Sequence, residues 1–362
     1  MVKFSERPLK LIATASSLPG PPVTNTQLLE ALRQHIGKSH NDVDNIIRRA
    51  KAIARRLAIY QRHLTRRLDV AVSKPTVSAP EMGVTILSRM LDNSSLESEA
   101  IDYLITHTAT PHTQIPGNSA WIADRAGLAC PHMELRQACT GFANALFIAS
   151  GLLATTDDIK TIAISGMEVG SVFFEISPAF LDDEQLLNYM QMGDGAGGAL
   201  VTACEPGTDD RGVISDIYHG HIGNGRAPGF HLAGGGSSDI ANEPGAIPRF
   251  RHTGETVKRF GTAIFIAAIQ CIADRGHKLE EFDWIIPHQA SGRIGQLLSN
   301  HTKIAVDRFV VDTATHGNLG SAAIWVSLDK LIRSGKLSRG QRVLVLGAEA
   351  TKYMYGGFIY RH

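Results

Sequence analysis

Three short segments of this chain carry side chains suited to thioester chemistry. Cys139 sits in Gln137-Ala-Cys-Thr-Gly-Phe142, directly before the apolar run from Thr140 to Leu153. A cysteine at the start of a buried helix faces unpaired N–H groups and the positive end of the helix dipole. Both favour the thiolate and lower the thiol pKa. The same N–H groups can hold a developing oxyanion. The alternative is a small buried hydrophobe, the ordinary role of a free cysteine. Cys130, Cys204 and Cys271 lack this setting. His288, in Ile285-Ile-Pro-His-Gln-Ala290, follows a buried strand that Pro287 stiffens. A histidine just past a strand end can point into a crevice or serve the core. Asn318, in Thr315-His-Gly-Asn-Leu-Gly-Ser-Ala-Ala323, reads by itself as a turn that caps the next helix. Its amide can also donate to a carbonyl that is becoming an enolate. Together the three supply a nucleophile and two polarising donors.

The elements that must position these residues alternate between strand and helix. Leu9 to Ala15 reads as a buried strand, with Asn25 and Thr26 as caps for a helix through Leu32. Met82 to Leu91 has helical periodicity, Asp102 to His107 is strand-like, and Trp121 to Ala126 is a short helix stopped by Gly127. Glu134 to Cys139 reads as a strand entering a turn. Thr140 to Leu153 is apolar on nearly every side, which predicts a buried helix. Thr161 to Ser165 is another buried strand. The Gly193 to Gly198 run is followed by a strand from Ala199 to Ala203, not by a helix, so it is no dinucleotide fingerprint. It reads as a tight turn into the second half. The class is α/β.

The second half repeats the first. Asp102-Tyr-Leu-Ile-Thr-His107 matches Asp283-Trp-Ile-Ile-Pro-His288, and Ile164-Ser-Gly166-Met-Glu168 matches Val345-Leu-Gly347-Ala-Glu349. Both matches have an offset of 181 (283 − 102 and 347 − 166), half of the 362 residues. The shared Asp, His, Gly and Glu are not what strand burial demands. The expected division is 1–181, with the cysteine, and 182–362, with the histidine and asparagine. Equivalent strand ends then meet where the halves join and can form a single site. His107, the repeat partner of His288, is an internal control for the structural role of that histidine.

Composition bounds the rest. A net charge of +1 with 20% charged residues gives no global reason to expect nucleic acid or an anionic membrane as partner. The four cysteines are widely spaced and form no zinc pattern. Reduced thiols, a charged MVKFSERPLK start and no bilayer-length apolar run lead us to expect a cytoplasmic protein without metal or resident cofactor.

Taken together the segments resemble the ketoacyl-acyl carrier protein synthase III family. The matching elements are a cysteine in A-C-x-G-F, then P-H-Q-A, then H-G-N before an S-A-A helix, 30 residues after the histidine (318 − 288). Gly193-Asp-Gly-Ala-Gly197 and the last core strand Arg342 to Gly347 also match, and the resemblance runs from about residue 8 to 362. It implies a thiolase-like fold of five α/β/α/β/α layers with pseudo-twofold halves, a homodimer, and catalysis by Cys139, His288 and Asn318. The implied partners are acyl carrier protein or acyl-coenzyme A thioesters.

The chain departs from the family in two places. Ala350, Thr351 and Lys352 stand where its closing loop carries three glycines, so backbone approach must change there. Ala58-Ile59-Tyr-Gln-Arg62-His63 resembles its G-I-x-x-R-H segment, but Ala52 occupies the place of an adenine-stacking tryptophan. A carrier-borne donor fits that loss. The basic stretch of Arg48, Arg49, Lys51, Arg55, Arg56, Arg62, Arg66 and Arg67 reads as a solvated helix face or as a docking patch for an acidic carrier. Arg293 matches an arginine that the family places near the coenzyme phosphate. The expected reaction is Claisen condensation of an acyl-cysteine with a β-keto or malonyl-type thioester, in specialised lipid or polyketide biosynthesis such as cyclohexanedione or dialkylresorcinol formation. Decarboxylation suits a site that shows donors and no evident carboxylate base. The rivals are an acyltransferase to oxygen or nitrogen on the same fold, and a non-catalytic partner subunit of a heterodimer.

Overall fold

A computed structural model describes residues 2–37, 43–204, 211–237, 247–252 and 254–362; the side chains of 254–259 lie outside the description. Its centre is a ten-stranded mixed sheet. The strand order is Trp284–Pro287, Arg342–Glu349, Met354–Arg361, Val213–His221, Leu9–Ser17, Gly195–Ala203, Ile162–Glu168, Tyr103–His107, His132–Leu135, with Lys3–Phe4 added onto Val213–His221. The two halves of the order mirror each other about the contact of Leu9 with Ile214. Each side has an equivalent parallel pair, Tyr103–His107 beside Ile162–Glu168 and Trp284–Pro287 beside Arg342–Glu349, and His132–Leu135 adds one further parallel strand outside the first.

Alternation along the strands sorts side chains into layers. Ile162 and Ile164 face one core cluster, while Ala163 and Met167 face another. Val343 and Val345 join the first cluster from the opposite side, and Leu344 and Leu346 turn outward into a third. The shared cluster holds two central helices, Gly141–Thr155 and Ala323–Arg333. Outer helices cover both sheet faces: Ala79–Ser94 with Asn118–Ala126, and Gly254–Asp274 with Ile294–Thr302. This is the expected five-layer α/β/α/β/α architecture. A fourth apolar cluster ties the helices Asn25–Ile36, Val43–Leu57 and Asp183–Gln191 into a cap beside it.

Local chemistry sets the helix ends. Thr24, not Asn25, caps the first helix, in a capping box with Gln27. Ser78 forms the same device with Glu81. Gly127 stops its helix at φ 68°, where a side chain would be strained. The turn expected at Gly193 to Gly198 is instead largely strand: Gly195–Ala203 pairs with both Ile162–Glu168 and Leu9–Ser17. Glycines there serve close packing. A methyl at Gly197 would meet the Trp325 side chain at 2.7 Å, and one at Gly198 the Ile164 carbonyl oxygen at 2.3 Å. Strand pairing thus places residues 195–203 among the strands of the first half.

Candidate active site

The cysteine helix begins at a crowded turn. His107 is fully buried beneath it, and a methyl at Gly141 would lie 2.4 Å from its Nδ1. Trp325 Nε1–H donates to His107 Nε2 at 3.0 Å. Burial pushes the His107 pKa down to about 3, so the ring is neutral. The internal control is therefore informative: one histidine of the repeated pair is a core spacer. His288 has a different place. Its N–H donates to the Leu346 carbonyl at 2.7 Å, which extends the Trp284–Pro287 pairing by one residue. Its side chain lines a cavity of about 640 Å³, and burial lowers its pKa to about 4.

Cys139 and Asn318 line the same cavity. Asn318 is held by its backbone, which donates to Gln191 O at 2.8 Å and accepts from Gly193 N at 3.0 Å. Its Oδ1 accepts from Gly320 N–H at 3.1 Å. That contact fixes the amide orientation and leaves the NH2 group to donate. Three residues more than 20 positions apart in the chain are thus brought to one chamber. The chamber is apolar elsewhere, through Leu187, Phe230, Phe250, Ile264 and Phe265. Its volume is in the range of small-molecule sites.

Two carboxylates in the same wall are not among the expected site residues. Glu168 and Glu349 line the cavity and are nearly inaccessible. Each reaches across to the central helix of the other half. Glu349 Oε2 accepts from Thr140 N–H at 2.9 Å and from the Thr140 hydroxyl at 2.8 Å. Glu168 Oε2 accepts from Ser321 N–H and hydroxyl, both at 3.0 Å. The exchange repeats at the offset of 181 (349 − 168 and 321 − 140). The repeat had marked these glutamates as unexplained by burial, and this reciprocal capping explains their recurrence.

The carboxylates also reverse an expectation. The helix start was to lower the Cys139 pKa. Instead burial, then the charges of Glu349 and Glu168, push the thiol well above its ordinary value. The first helix N–H serves Glu349, so its polarity is spent on a carboxylate and not on the sulfur.

The basic stretch divides. Arg48, Arg55 and Arg56 are exposed along the helix Val43–Leu57, and Arg56 reaches the cavity wall. Arg49 pairs with Asp183, and Arg67 with Asp69. Arg62, expected to bind carrier, is wholly buried and cannot meet one. Its guanidinium donates to Asn25 Oδ1 and to the Met190 carbonyl, both at 2.6 Å. Arg66 is likewise buried, against the carbonyls of Phe174, Val70 and Ala71. Arg293 is exposed and donates to the Arg55 and Arg56 carbonyls at 3.1 and 3.2 Å. A cation there complements the helix C-terminus.

The loop that lacks glycines, residues 350–353, is a tight connection between Arg342–Glu349 and Met354–Arg361. Only Tyr353 takes positive φ, at 54°, with its ring fully buried. Ala350 O accepts from Gly229 N–H at 3.1 Å, and Tyr353 O from Ile222 N–H at 2.9 Å. The loop is thus pinned by the segment 222–229, and Ala350 and Thr351 line the cavity.

Fold and site together define a thiolase-like condensing-enzyme scaffold with a cysteine-bearing chamber between its halves. Residues 133–217 match the family model for 3-oxoacyl-[acyl-carrier-protein (ACP)] synthase III, and residues 272–361 match the model for the C-terminal part of that synthase. Both the first and the second half of the chain thus carry a match to this family of condensing enzymes. Among solved structures it is similar to AbyA1, a tetronic acid condensing enzyme, at 24% identity and a TM-score of 0.81, covering 98% of this chain and 100% of that one. It is similar to the priming β-ketosynthase of the R1128 polyketide pathway at 23% identity and a TM-score of 0.77, covering 98% and 96%. For 3-oxoacyl-[acyl-carrier-protein] synthase III of Aquifex aeolicus VF5 the identity is 22% and the TM-score 0.75, covering 98% and 100%. Among the described residues no helix is long and apolar enough to cross a membrane, and no group of His, Cys, Asp or Glu has metal-site geometry.

Proposed function

We propose that this protein is a ketosynthase of specialised lipid or polyketide biosynthesis that joins two acyl units by Claisen condensation. The observation that carries the reading is the single chamber shared by Cys139, His288 and Asn318. In this scheme Cys139 attacks a thioester, its proton leaves with the departing thiol, and the acyl group stays on sulfur. A second thioester, β-keto or malonyl-type, then enters. Loss of carbon dioxide or of an α-proton turns it into an enolate, and His288 and Asn318 donate to its carbonyl oxygen and stabilise that enolate, as preorganised donors do. Its α-carbon attacks the acyl-cysteine carbonyl and releases the Cys139 sulfur. The apolar end of the chamber at Phe230, Phe250 and Phe265 suits a long acyl chain. Two chains joined this way give the skeleton of a cyclohexanedione or dialkylresorcinol. The names of two similar structures, a tetronic acid condensing enzyme and a priming ketosynthase of a polyketide pathway, are consistent with a specialised role.

The donor in this reading rides on acyl carrier protein or coenzyme A and would meet Arg56, which lines the chamber, and the exposed Arg55 and Arg293 beside it. No resident cofactor is needed. We take the working unit to be a homodimer, to be checked by light scattering. The deciding experiment exposes the protein to a panel of acyl thioesters, follows intact mass, and then supplies the second thioester. A single acyl adduct on Cys139 and a new carbon–carbon bond are expected. Cys139→Ser should abolish the adduct. Transfer of the acyl group to oxygen or nitrogen would replace the reading with the acyltransferase, and no adduct with any thioester would favour a non-catalytic subunit.

A further inference from the structure

The two glutamates of the chamber hold equivalent positions but unequal surroundings. Glu168 Oε1 accepts from the Thr108 hydroxyl, Ala109 N–H, and both the N–H and hydroxyl of Thr110, at 2.8 to 3.0 Å. Its Oε2 takes the two Ser321 donors. A carboxylate has about four lone-pair sites, so Glu168 is saturated. Glu349 is not. Its Oε2 is used by Thr140, while among the described residues Oε1 meets only the Thr351 hydroxyl of the pinned loop. One carboxylate oxygen of the chamber therefore keeps acceptor capacity, in the same wall as Cys139, His288 and Asn318.

An enolate can be made in two ways. Losing carbon dioxide needs donors alone. Losing an α-proton needs donors on the carbonyl oxygen and a base at the α-carbon. The chamber holds both parts of the second arrangement. We propose that Glu349 is the base that removes the α-proton of the second substrate, and that this substrate is a 3-oxoacyl thioester that keeps all its carbons. The α-hydrogens of such a thioester lie between two carbonyls, which brings them within reach of a carboxylate. This deepens the ketosynthase reading and rests on it.

The step balances without an outside reagent. Glu349 takes the proton, and the C–H pair becomes the enolate that His288 and Asn318 hold. The enolate carbon bonds to the acyl carbonyl carbon, the acyl C–S bond breaks, and Cys139 leaves as thiolate. Glu349 returns its proton to that sulfur. The elevated proton affinity of Cys139 beside two carboxylates favours this return.

The test needs no variant at first. Wild-type protein acylated on Cys139 is offered a 3-oxoacyl thioester and, separately, a malonyl thioester. Product from the 3-oxoacyl thioester without carbon dioxide release is expected. Glu349→Gln, which is nearly isosteric, should still become acylated on Cys139. With the 3-oxoacyl thioester it should lose about 10²-fold or more in condensation, the scale of general-base catalysis. Condensation only with malonyl thioester, matched by carbon dioxide release, would overturn the inference and leave the ketosynthase reading intact. Equal loss of acylation and condensation in Glu349→Gln would reduce Glu349 to a cap of the cysteine helix. Failure with both second substrates would strike the ketosynthase reading itself.

Discussion

Asn318 illustrates how a residue with a bland local reading acquires a task. Its Oδ1 is occupied by Gly320 N–H, so only the NH2 group is left to act. If it donates to an enolate, Asn318→Ala should accept an acyl group on Cys139 yet condense about 10²-fold more slowly or worse, the usual scale for one oxyanion-type donor. Single-turnover measurement of each half-reaction separates the two, and equal losses would contradict the division. His288 makes a prediction of different kind. Burial depresses its pKa from an ordinary 6.5 to about 4, so the folded ring stays neutral where the unfolded ring is already charged. Its contribution to stability is complete above pH 6.5 and is lost as the pH falls toward 4. His107 and His252, pushed down to about 3 and 4, act in the same direction. NMR of the imidazole resonances should show His288 uncharged at pH 5.5, and a midpoint near 6.5 would refute its burial in solution.

At the scale of elements, the two central helices do most of the positioning. Phe142 follows Cys139 by three residues (142 − 139), is wholly buried, and packs edge-on against Trp325 of the other central helix and Phe358 of the last strand. Truncating such a side chain typically costs about 3–5 kcal/mol. Phe142→Ala should lower stability by that amount in denaturant titration and should disturb acylation of Cys139 as well, because the helix start moves with its anchor. A loss under 1 kcal/mol would show that the halves are not joined through this contact. These elements were largely legible beforehand. The strand at Leu9, the helices at Met82 and Trp121, and the cysteine helix all lie where periodicity and capping residues put them, within a few residues. The Gly193 to Gly198 segment was not. Its glycines mimic a turn, and the pressure that selects them is close packing against Trp325 and Ile164, which come from elsewhere in the chain.

For the whole molecule, the distribution of charge gives the clearest test. The chain is nearly neutral, yet Arg48, Arg55 and Arg56 are exposed on one helix, and Arg293 stands at its end. Such a patch steers an acidic partner, and salt weakens it over about 8 Å at physiological ionic strength. Reversing Arg55 and Arg56 to glutamate should raise the apparent KM for carrier-bound substrate and leave turnover of an N-acetylcysteamine thioester nearly unchanged. Salt should move the wild type toward the variant. If both substrates respond alike, the arginines are only a solvated helix face. Arg62 and Arg66 do not belong to this patch, although nothing in their local sequence separates them from the others. Each is folded inward to satisfy backbone carbonyls, which a sequence cannot display.

The sequence by itself carried the α/β alternation, the internal match at an interval of 181 and the three segments that meet at the chamber. Each of these is written in periodicity, capping residues or ordered motifs, all of which act over a few neighbouring residues or repeat at a fixed interval. Tertiary structure supplied the physical reason why His288, already indicated by the resemblance, lines the chamber and His107 does not: the start of the cysteine helix and Trp325 pack on His107. It decided the ionisation of Cys139 as well. The helix start favours a thiolate locally, but burial opposes it first, and Glu349 and Glu168, arriving from strand ends 210 and 29 residues away (349 − 139 and 168 − 139), oppose it further. Charges and burial act through space, and proximity in space is what the folded chain supplies.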